Sequence, residues 1–256
     1  LCIPASRKSF SGPVASTSSK SCSISITNFF TRTYRIIETD NGRKGLETAL
    51  DECPDIIVSD VNMPLMDGFE MCRQLKTDER TSHIPLILLT SNAGEIPTIK
   101  GYETGADDYV TKPFSLKVLE ARLKNLLETR RKLREIFSKS IPAVKTSGLS
   151  KIDQAFIEKL VAAIEEKISD PGLDADKLSL LMAMSKRNLY RKIKALTSQS
   201  VHEFIRMLRL KKASEMLKNK ENSVSDVAYN VGFNDLSYFS TSFRKMFGVP
   251  PSEYSE

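Results

Sequence analysis

The stretch Asp55–Gly68, with the sequence DIIVSDVNMPLMDG, constrains the fold of this chain more than any other stretch. Its apolar residues form a short run that is typical of a buried strand, and the run ends at the carboxylate of Asp60. The Met-Pro and Asp-Gly pairs that follow break regular structure and predict a loop. Ligands of open α/β sheets bind at the carboxyl ends of the strands. Taken alone, Asp60 is therefore either a site residue or the cap of a turn.

Two later segments end in a similar way. The run Pro85–Thr90 ends in a hydroxyl, and Asp108–Pro113 carries Lys112 before its proline. Because the carboxyl ends of parallel strands meet at one edge of a sheet, these segments predict that Asp60, Thr90 and Lys112 lie together. An aspartate can receive a phosphoryl group as a nucleophile. A lysine and a threonine can then donate hydrogen bonds to the phosphoryl oxygens.

These residues, with Met63–Gly68 after the aspartate and Gly105–Tyr109 before the lysine, resemble the receiver domain of two-component response regulators over about Tyr34–Phe137. The resemblance implies that a histidine kinase transfers a phosphoryl group to Asp60. It also implies a cis bond between Lys112 and Pro113. The further residues to which it gives a role are the switch residues Thr90 and Tyr109, the phosphoryl contact Lys112, and Asn62, whose backbone carbonyl would join Asp60 in holding Mg²⁺.

The resemblance further implies a flavodoxin-like α/β fold with a parallel sheet in the order 2-1-3-4-5. From Tyr34 onwards, short apolar strands alternate with helical segments, one of them near Pro97–Thr104, which is typical of a sheet covered on both faces. The first strand is not defined by the sequence. Residues 1–33 are rich in serine and contain no Asp or Glu. We therefore expect them to be disordered or to complete the sheet only loosely.

The missing acids bear on the Mg²⁺ site. Receivers hold Mg²⁺ with adjacent carboxylates at the end of the first strand, and the family spacing places this pair near Ala15 and Ser16. Mg²⁺ needs oxygen ligands, which are usually carboxylates, phosphate and water. Two interpretations remain open. One is a degenerate receiver that signals without phosphate; the other is an N-terminus that is not authentic, such as a shifted reading frame that rejoins the family pattern near Ile26–Phe30.

Charge divides the chain into two parts. Residues 34–137 contain 15 basic and 18 acidic residues, a net charge of −3. Residues 177–220 contain 12 basic and 2 acidic residues, a net charge of +10. Such a concentrated basic segment indicates either nucleic-acid contact or a solvated basic face, and accompanying motifs decide between them. Residues 138–150, with a proline and a glycine, are predicted to be a linker.

The remaining residues, 151–256, are predicted to form helices that include two helix-turn-helix units. In the first unit Ser185 caps a helix over Lys186–Leu196, and in the second a helix runs over Asp235–Phe247. The start of such a second helix contacts base edges in the major groove. The residues predicted to contact DNA are Lys186, Arg187, Asn188, Tyr190, Arg191, Asn234, Ser237, Thr241 and Arg244. The aromatic residues predicted to lie in the core are Tyr238, Phe239, Phe243 and Phe247.

The motif Asp226–Phe233 and the residues from Ser237 to Ser252 resemble the AraC-type DNA-binding domain, with coverage from about Ser150 to the end of the chain. The resemblance implies sequence-specific binding of double-stranded DNA. Position 241 is Thr where many members carry a basic residue, so we expect the second unit to contact DNA less strongly than the first. A receiver, a long helix and an AraC-type domain in this order also resemble the C-terminal end of hybrid two-component regulators, in which a histidine kinase precedes this part.

These features predict a cytoplasmic transcription regulator of a phosphorelay that is phosphorylated on Asp60, forms homodimers and binds DNA through both units. The alternative is a docking or dimerisation module with a degenerate receiver that works without phosphorylation. A third class, an enzyme, is not favoured, because the sequence contains no nucleophile elbow, P-loop or zinc motif. No apolar run approaches the roughly 18 residues of a membrane span, so we expect this fragment to make no membrane contact.

Overall fold

The structure is a computed structural model that describes the backbone of residues 14–17 and, further along, residues 26–31, 33–91, 104–139, 149–218 and 223–254. The chain divides into two compact units. The first consists of Leu1–Arg134 with Ser150–Asp153, and the second of Glu135–Leu149 with Gln154–Glu256.

The first unit is built on a parallel sheet of five strands in the order β2-β1-β3-β4-β5. The strands are β1 (Val14–Thr17), β2 (Ile36–Glu38), β3 (Ile57–Asp60), β4 (Leu86–Thr90) and β5 (Asp108–Thr111). The helices described for this part of the chain are α1 (residues 26–30), α2 (Gly42–Glu52), α3 (Gly68–Thr77) and α4 (Leu116–Lys139). This order confirms the predicted flavodoxin-like fold.

The first strand lies in the interior of the sheet, because β1 pairs with β2 on one side and with β3 on the other. The following helix α1 contributes the buried residues Ile26 and Phe30 to the core. Of the two alternatives expected for this part of the chain, disorder is wrong for residues 14–17 and 26–30, whereas completion of the sheet is what β1 does. The first unit also begins earlier than the predicted boundary at residue 34. A strand of four residues carries too little pattern to be found locally; its pairing with two neighbours defines it.

Both faces of the sheet are covered by apolar side chains. On one face Val58 and Leu89 pack with Leu119 and Leu123 of α4. On the other face the strand residues Ile57, Leu86 and Leu88 pack with residues of α3, among them Met71 and Leu75. The strands β3 and β4 are buried along their whole length. Burial on both faces explains why they are continuous apolar runs rather than alternating ones.

Asp107, which directly precedes β5, makes contacts with several elements of the first unit. Its carboxylate accepts hydrogen bonds from the backbone N–H of Leu86 at 2.8 Å and from Lys76 Nζ at 2.5 Å, and Arg130 Nη2 lies 3.3 Å away. Burial alone would raise the pKa of Asp107, but the charges of Lys76 and Arg130 and these hydrogen bonds outweigh it and hold the pKa below its ordinary value. The folded state therefore favours the ionised carboxylate.

We expect Asp107→Asn to lower the free energy of unfolding by about 1–3 kcal/mol at neutral pH, because buried donors lose a charged acceptor. The folded-state pKa lies below the unfolded one, so the contribution is present above the unfolded pKa and is lost as the pH falls through the folded value. Urea unfolding between neutral and acidic pH should show the difference between wild type and variant shrinking with acid. The control is Asp40→Asn, which removes an exposed ion pair with Lys44 and should change nothing. A difference that is constant with pH would contradict this linkage.

The second unit is helical, as predicted. Its helices are α5 (Lys151–Glu166), α6 (Ala175–Leu181), α7 (Lys186–Thr197), α8 (Val201–Lys218), α9 (Val224–Asn230) and α10 (Leu236–Phe247), followed by the short 3₁₀ helix Pro251–Glu253. Two apolar cores lie within it. One is formed by α5, α6, α7 and the first half of α8, and the other by the second half of α8 with α9 and α10.

Some predicted elements lie outside the described residues. Helix α4 extends to Lys139, which is consistent with a helix that continues past the sheet. Residues 140–148 of the predicted linker are outside the described ranges, and so is nearly all of the helix predicted near Pro97–Thr104.

Candidate functional site

Three adjacent strands end at one edge of the sheet of the first unit. β3 ends in Asp60, β4 ends in Thr90, and Lys112 follows β5 directly. The register places Asp60 opposite Leu89 and Thr90 opposite Thr111. The backbone N–H of Lys112 donates to the carbonyl oxygen of Thr90 at 2.7 Å. We call this edge the rim. Its geometry follows from the parallel arrangement, as the sequence predicts.

At the rim, Lys112 Nζ donates to Asp60 Oδ2 in an ion pair. Asp60 is 4% exposed, and the backbone N–H of Asn62 lies 3.3 Å from its Oδ1. A carboxylate this buried is costly unless a cation or hydrogen bonds compensate it, and Lys112 supplies both. The peptide bond between Lys112 and Pro113 is cis, which confirms that prediction.

The loop after Asp60 is held against the sheet by a glycine. The backbone N–H of Gly68 donates to the carbonyl oxygen of Val61 at 2.9 Å. A Cβ atom at Gly68 would overlap the carbonyl oxygen of Asp60, so only glycine allows this approach. Asp67 caps α3 by accepting from the backbone N–H of Glu70. The Met-Pro and Asp-Gly pairs of the sequence thus serve to turn the chain directly behind the carboxylate.

The two predicted switch residues have different surroundings. Thr90 is buried at the end of β4. Tyr109 lies in β5, is partly buried, and packs against the core formed by α3 and the sheet. Its hydroxyl lies 3.4 Å from Thr104 Oγ1. The structure thus brings Asp60, Thr90 and Lys112 to the rim. Tyr109 lies earlier in β5, directly before Val110, and not at the end of the strand.

The residues at the rim do not fit a Mg²⁺ site of the receiver type. Thr17 is the β1 residue opposite Ser59, which immediately precedes Asp60, so the end of β1 beside the rim is Thr17 rather than the predicted Ala15 and Ser16. No acid precedes Glu38 in the sequence. In the described part of the chain, no three acid, histidine or cysteine side chains are grouped to hold a metal. Asp60, already paired with Lys112, and the carbonyl of Asn62 are fewer protein ligands than the family uses.

The first helix-turn-helix of the second unit consists of α6, a turn and α7. Ser185 caps α7, and its side chain accepts from the backbone N–H of Asn188 at 3.3 Å. Leu178 and Leu189 bury the inner faces of the two helices. The residues that are predicted to contact DNA in the first unit lie on α7. Of these, Lys186 and Arg187 are exposed, whereas Asn188, Tyr190 and Arg191 are partly buried.

Lys186 and Tyr190, which are predicted to contact DNA, also make contacts within the unit. Lys186 Nζ lies 2.8 Å from Asp176 Oδ2, and this hydrogen bond raises the pKa of Lys186. The ring of Tyr190 packs against the first core. Both groups are therefore held in position on the surface of the helix.

The second helix-turn-helix consists of α9, a turn that contains Gly232, and α10. Asp235 caps α10 by accepting from the backbone N–H of Tyr238 at 2.9 Å. Phe239 and Phe243 are fully buried, and Phe247 is partly buried against them, so these three lie in or against the core as predicted. The residues of this unit that are predicted to contact DNA are all exposed; they are Asn234, Ser237, Thr241 and Arg244.

The prediction that Tyr238 belongs to the core is wrong. Its side chain is 51% exposed, and Arg206 Nη1 of α8 donates to its hydroxyl at 2.8 Å. This hydrogen bond lowers the pKa of Tyr238. The helical period contains the signal, because the buried residues Phe239 and Phe243 are four apart and Tyr238 falls off that stripe. Tyr238 is next in sequence to Ser237, which is predicted to contact DNA, and is a further candidate for DNA contact.

Among the helices that the structure describes, none has both the length and the apolar character needed to cross a membrane.

Comparisons with known proteins agree with this architecture. A family model described as a response regulator receiver domain matches residues 20–124, and one described as a helix-turn-helix domain matches residues 178–256. Histidine kinase P4 of Formosa agariphila is 38% identical over 230 residues, which are 90% of this chain and 17% of that protein. Transcriptional regulatory protein AfsQ1 of Streptomyces coelicolor is 34% identical over 154 residues, 60% of this chain and 62% of that protein.

Among solved structures, the signal receiver domain of a signal transduction histidine kinase from Syntrophus aciditrophicus is 32% identical, with a TM-score of 0.43. The match covers 46% of this chain and 92% of that one. The chain spans less than two thirds of the length of either curated relative. The receiver model begins after β1 and covers β2 to β5 and the start of α4, and the second model covers most of the helical unit. The chain therefore joins a response regulator receiver domain to an AraC-type helix-turn-helix domain, as the sequence predicts.

Proposed function

We propose that this chain is a DNA-binding response regulator of a phosphorelay whose receiver accepts a phosphoryl group on Asp60. The observation that carries the proposal is the ion pair between Asp60 and Lys112 at the rim, next to Thr90, in a chain that also carries helix-turn-helix units. A scaffold has no need of a buried carboxylate, a hydroxyl and a lysine at one edge of a sheet.

In the proposed transfer, an oxygen of the Asp60 carboxylate forms a bond to the phosphorus of a phosphohistidine. The phosphorus–nitrogen bond breaks, and the departing imidazole takes up a proton. Lys112 keeps its charge, leaves the carboxylate oxygen and donates to the phosphoryl oxygens together with the hydroxyl of Thr90. No step depends on a side-chain carboxylate other than Asp60. The histidine kinase acts either as a separate protein or as an earlier part of the same full-length chain.

The proposed switch follows from charge. A phosphoryl group adds about −1.5 to −2 charges. Thr90 and Lys112 then move towards the phosphoryl group, and Tyr109 follows because it lies on the strand that ends at Lys112. The packing of β5 and α4 changes with it, and α4 beyond the sheet supplies the dimer contact. Phosphorylation shifts the population towards a state that already exists without it.

The proposed DNA contact uses both helix-turn-helix units. The start of α7 and the start of α10 enter successive major grooves, about 34 Å apart along the DNA. Arg187 and Asn188 suit guanine and adenine edges. The basic charge of residues 177–220 supplies affinity that depends on salt. The sequence predicts a linker over residues 138–150, but α4 includes residues 138 and 139, so we propose that the linker begins after Lys139 and that the DNA-binding domain follows it from about residue 151 to 256.

A second candidate function has its own support. Without an acid before Glu38, the first strand offers no carboxylate to the rim, and Lys112 already neutralises Asp60. A receiver of this kind dimerises or docks a partner without phosphorylation. In that case DNA affinity is the same before and after treatment with a phosphodonor.

The test is DNA binding as a function of phosphorylation. The full chain selects duplexes from a random pool, and its dissociation constant for the enriched duplex is measured by fluorescence anisotropy. The chain is then treated with acetyl phosphate, with Mg²⁺ or with a chelator. We expect tighter binding after treatment in wild type and no change in Asp60→Asn. Equal affinities in all samples would contradict the phosphorylation proposal and support the docking module.

A further inference from the structure

Helix α8 passes from one apolar core of the second unit to the other at a single residue. Phe204, Ile205 and Leu208 pack in the first core. Leu210 and Ala213 pack in the second. Arg209 lies between these two sets in the sequence and is partly buried. The residue at the boundary between two apolar cores is therefore a long cation.

Arg209 contacts the first helix-turn-helix through a loop that is itself held in place. Its Nη2 donates to the backbone carbonyl of Asp170 at 2.5 Å. The carboxylate of Asp170 accepts from the backbone N–H of Gly172 at 2.9 Å and from Lys177 Nζ at 2.7 Å. The carbonyl of Asp170 that accepts from Arg209 is thus held by hydrogen bonds to the start of α6, which is part of the first core.

The turn of the second helix-turn-helix meets the same place from the other side. Gly232 has a φ of +81° and lies in the turn between α9 and α10. A Cβ atom there would overlap the carbonyl oxygen of Ile168 and would lie 2.9 Å from Arg209 Nη2. The loop of the first core, the guanidinium and the turn of the second core therefore meet at one point, which we call the junction (Ile168, Asp170, Arg209 and Gly232).

The surroundings of Arg209 are costly for a cation. Burial lowers its pKa, which the charge of Asp170 opposes only in part. Its Nε is buried and has no hydrogen-bond partner among the described residues. An apolar side chain would avoid this cost, but it could not donate to the carbonyl of Asp170 while filling the space beside Gly232. Arginine does both because its guanidinium is planar and rigid.

We propose that Arg209 is a positioning residue that fixes α7 and α10 relative to each other and thereby sets the spacing of the two DNA half-sites. This inference rests on the proposed binding of DNA by both units. A rigid connection raises the effective concentration of the second helix-turn-helix unit once the first is bound to DNA. A loose connection loses that gain, while each unit keeps its own affinity for DNA.

The experiment uses the full chain and duplexes that wild type enriches from a random pool. Dissociation constants are measured for the enriched duplex, for the same duplex with either half scrambled, and for duplexes with one or two base pairs inserted between the halves. The variants are Arg209→Ala, Arg209→Lys and Arg209→Gln. The control is Lys159→Ala, which removes an exposed cation of α5 that lies outside the basic segment 177–220. Thermal unfolding identifies any variant that does not fold, and the remaining variants carry the test.

We expect the Arg209 variants to bind the intact duplex about 10- to 100-fold more weakly, because linked binding exceeds separate binding by about 10²- to 10⁴-fold and a looser junction loses part of that gain. Their affinity for the scrambled duplexes should equal that of wild type. Insertions should weaken wild type strongly and the variants little. Arg209→Lys should resemble Arg209→Ala, because lysine keeps the charge but not the fork.

Each other outcome would overturn the inference. Wild-type affinity and spacing dependence in all folded Arg209 variants would show that the junction does not set the spacing. An equal loss on intact and scrambled duplexes would mean that Arg209 acts through charge or through one unit alone. If wild type enriches a single half-site, the proposal that the chain binds DNA holds, but the proposal that Arg209 positions two helix-turn-helix units on DNA fails. If it enriches no sequence, the proposed function fails first and this inference fails with it.

Discussion

Asp60→Asn is expected to abolish phosphoryl transfer to this chain completely. Asparagine has nearly the volume of aspartate, so the buried site between Lys112 and the backbone of Asn62 stays filled. The amide, however, is not a carboxylate nucleophile and cannot form the acyl phosphate. Intact-mass spectrometry after incubation with acetyl phosphate should show one added phosphoryl group in wild type and none in the variant. Asp67→Asn is the matched control, because it changes an aspartate in the same loop and keeps the cap of α3.

The outcome also separates the two candidate functions. If wild type and Asp67→Asn gain a phosphoryl group and Asp60→Asn does not, Asp60 is the acceptor despite the missing acids. If all three gain it equally, the acceptor is another residue. If none gains it while DNA binding persists, the receiver is a docking module.

In that last case, we expect Thr17→Asp, at the position opposite Ser59, to produce phosphoryl transfer that requires Mg²⁺, because the variant adds a carboxylate ligand. Ala15→Asp, further from the rim, should not produce it.

Arg187→Ala is expected to weaken binding to the enriched duplex by about 10- to 100-fold, which corresponds to roughly 1–3 kcal/mol for a base contact. Arg187 is exposed on the first turn of α7, so its removal should change the thermal stability of the chain little, because exposed polar contacts are worth about 1 kcal/mol or less. Selection from a random pool should show relaxed preference at one or two adjacent base pairs. Lys159→Ala, an exposed cation on α5, is the control and should bind like wild type.

Salt dependence distinguishes base reading from phosphate contact at Arg187. A phosphate contact contributes about one unit to the slope of log affinity against log salt, and its loss weakens all sequences alike. We therefore expect the Arg187→Ala variant to keep most of its binding to unrelated duplexes. A uniform loss on enriched and unrelated DNA, with a smaller slope, would contradict base reading and assign Arg187 to the DNA backbone.

Much of the rim was predictable because its information is local. The apolar runs that end at Asp60, Thr90 and Lys112 each define a buried strand, and parallel pairing forces their carboxyl ends to one edge. The caps of α7 and α10, Ser185 and Asp235, are equally local, because a side chain bonds to a backbone N–H three residues on.

Other features could not be predicted because they depend on contacts between distant segments. β1 carries no apolar pattern; its pairing with β2 and β3 makes it a strand and puts Thr17, not Ala15 or Ser16, opposite Ser59, the residue before Asp60. The hydrogen bond from Arg206 of α8 to the hydroxyl of Tyr238 likewise joins residues that are 32 apart in the sequence.

By itself the sequence determined most of the strands and helices after residue 34, the three residues that meet at the rim and the two helices that are predicted to contact DNA, since these follow from local burial and capping. Only the tertiary structure decided that β1 is an inner strand, that Lys112 neutralises Asp60, and that Arg209 meets Asp170 and Gly232 at one junction. The physical reason is that hydrophobic periodicity records which face of an element is buried, but not which distant group it meets there. Those meetings are set by the closure of the whole fold.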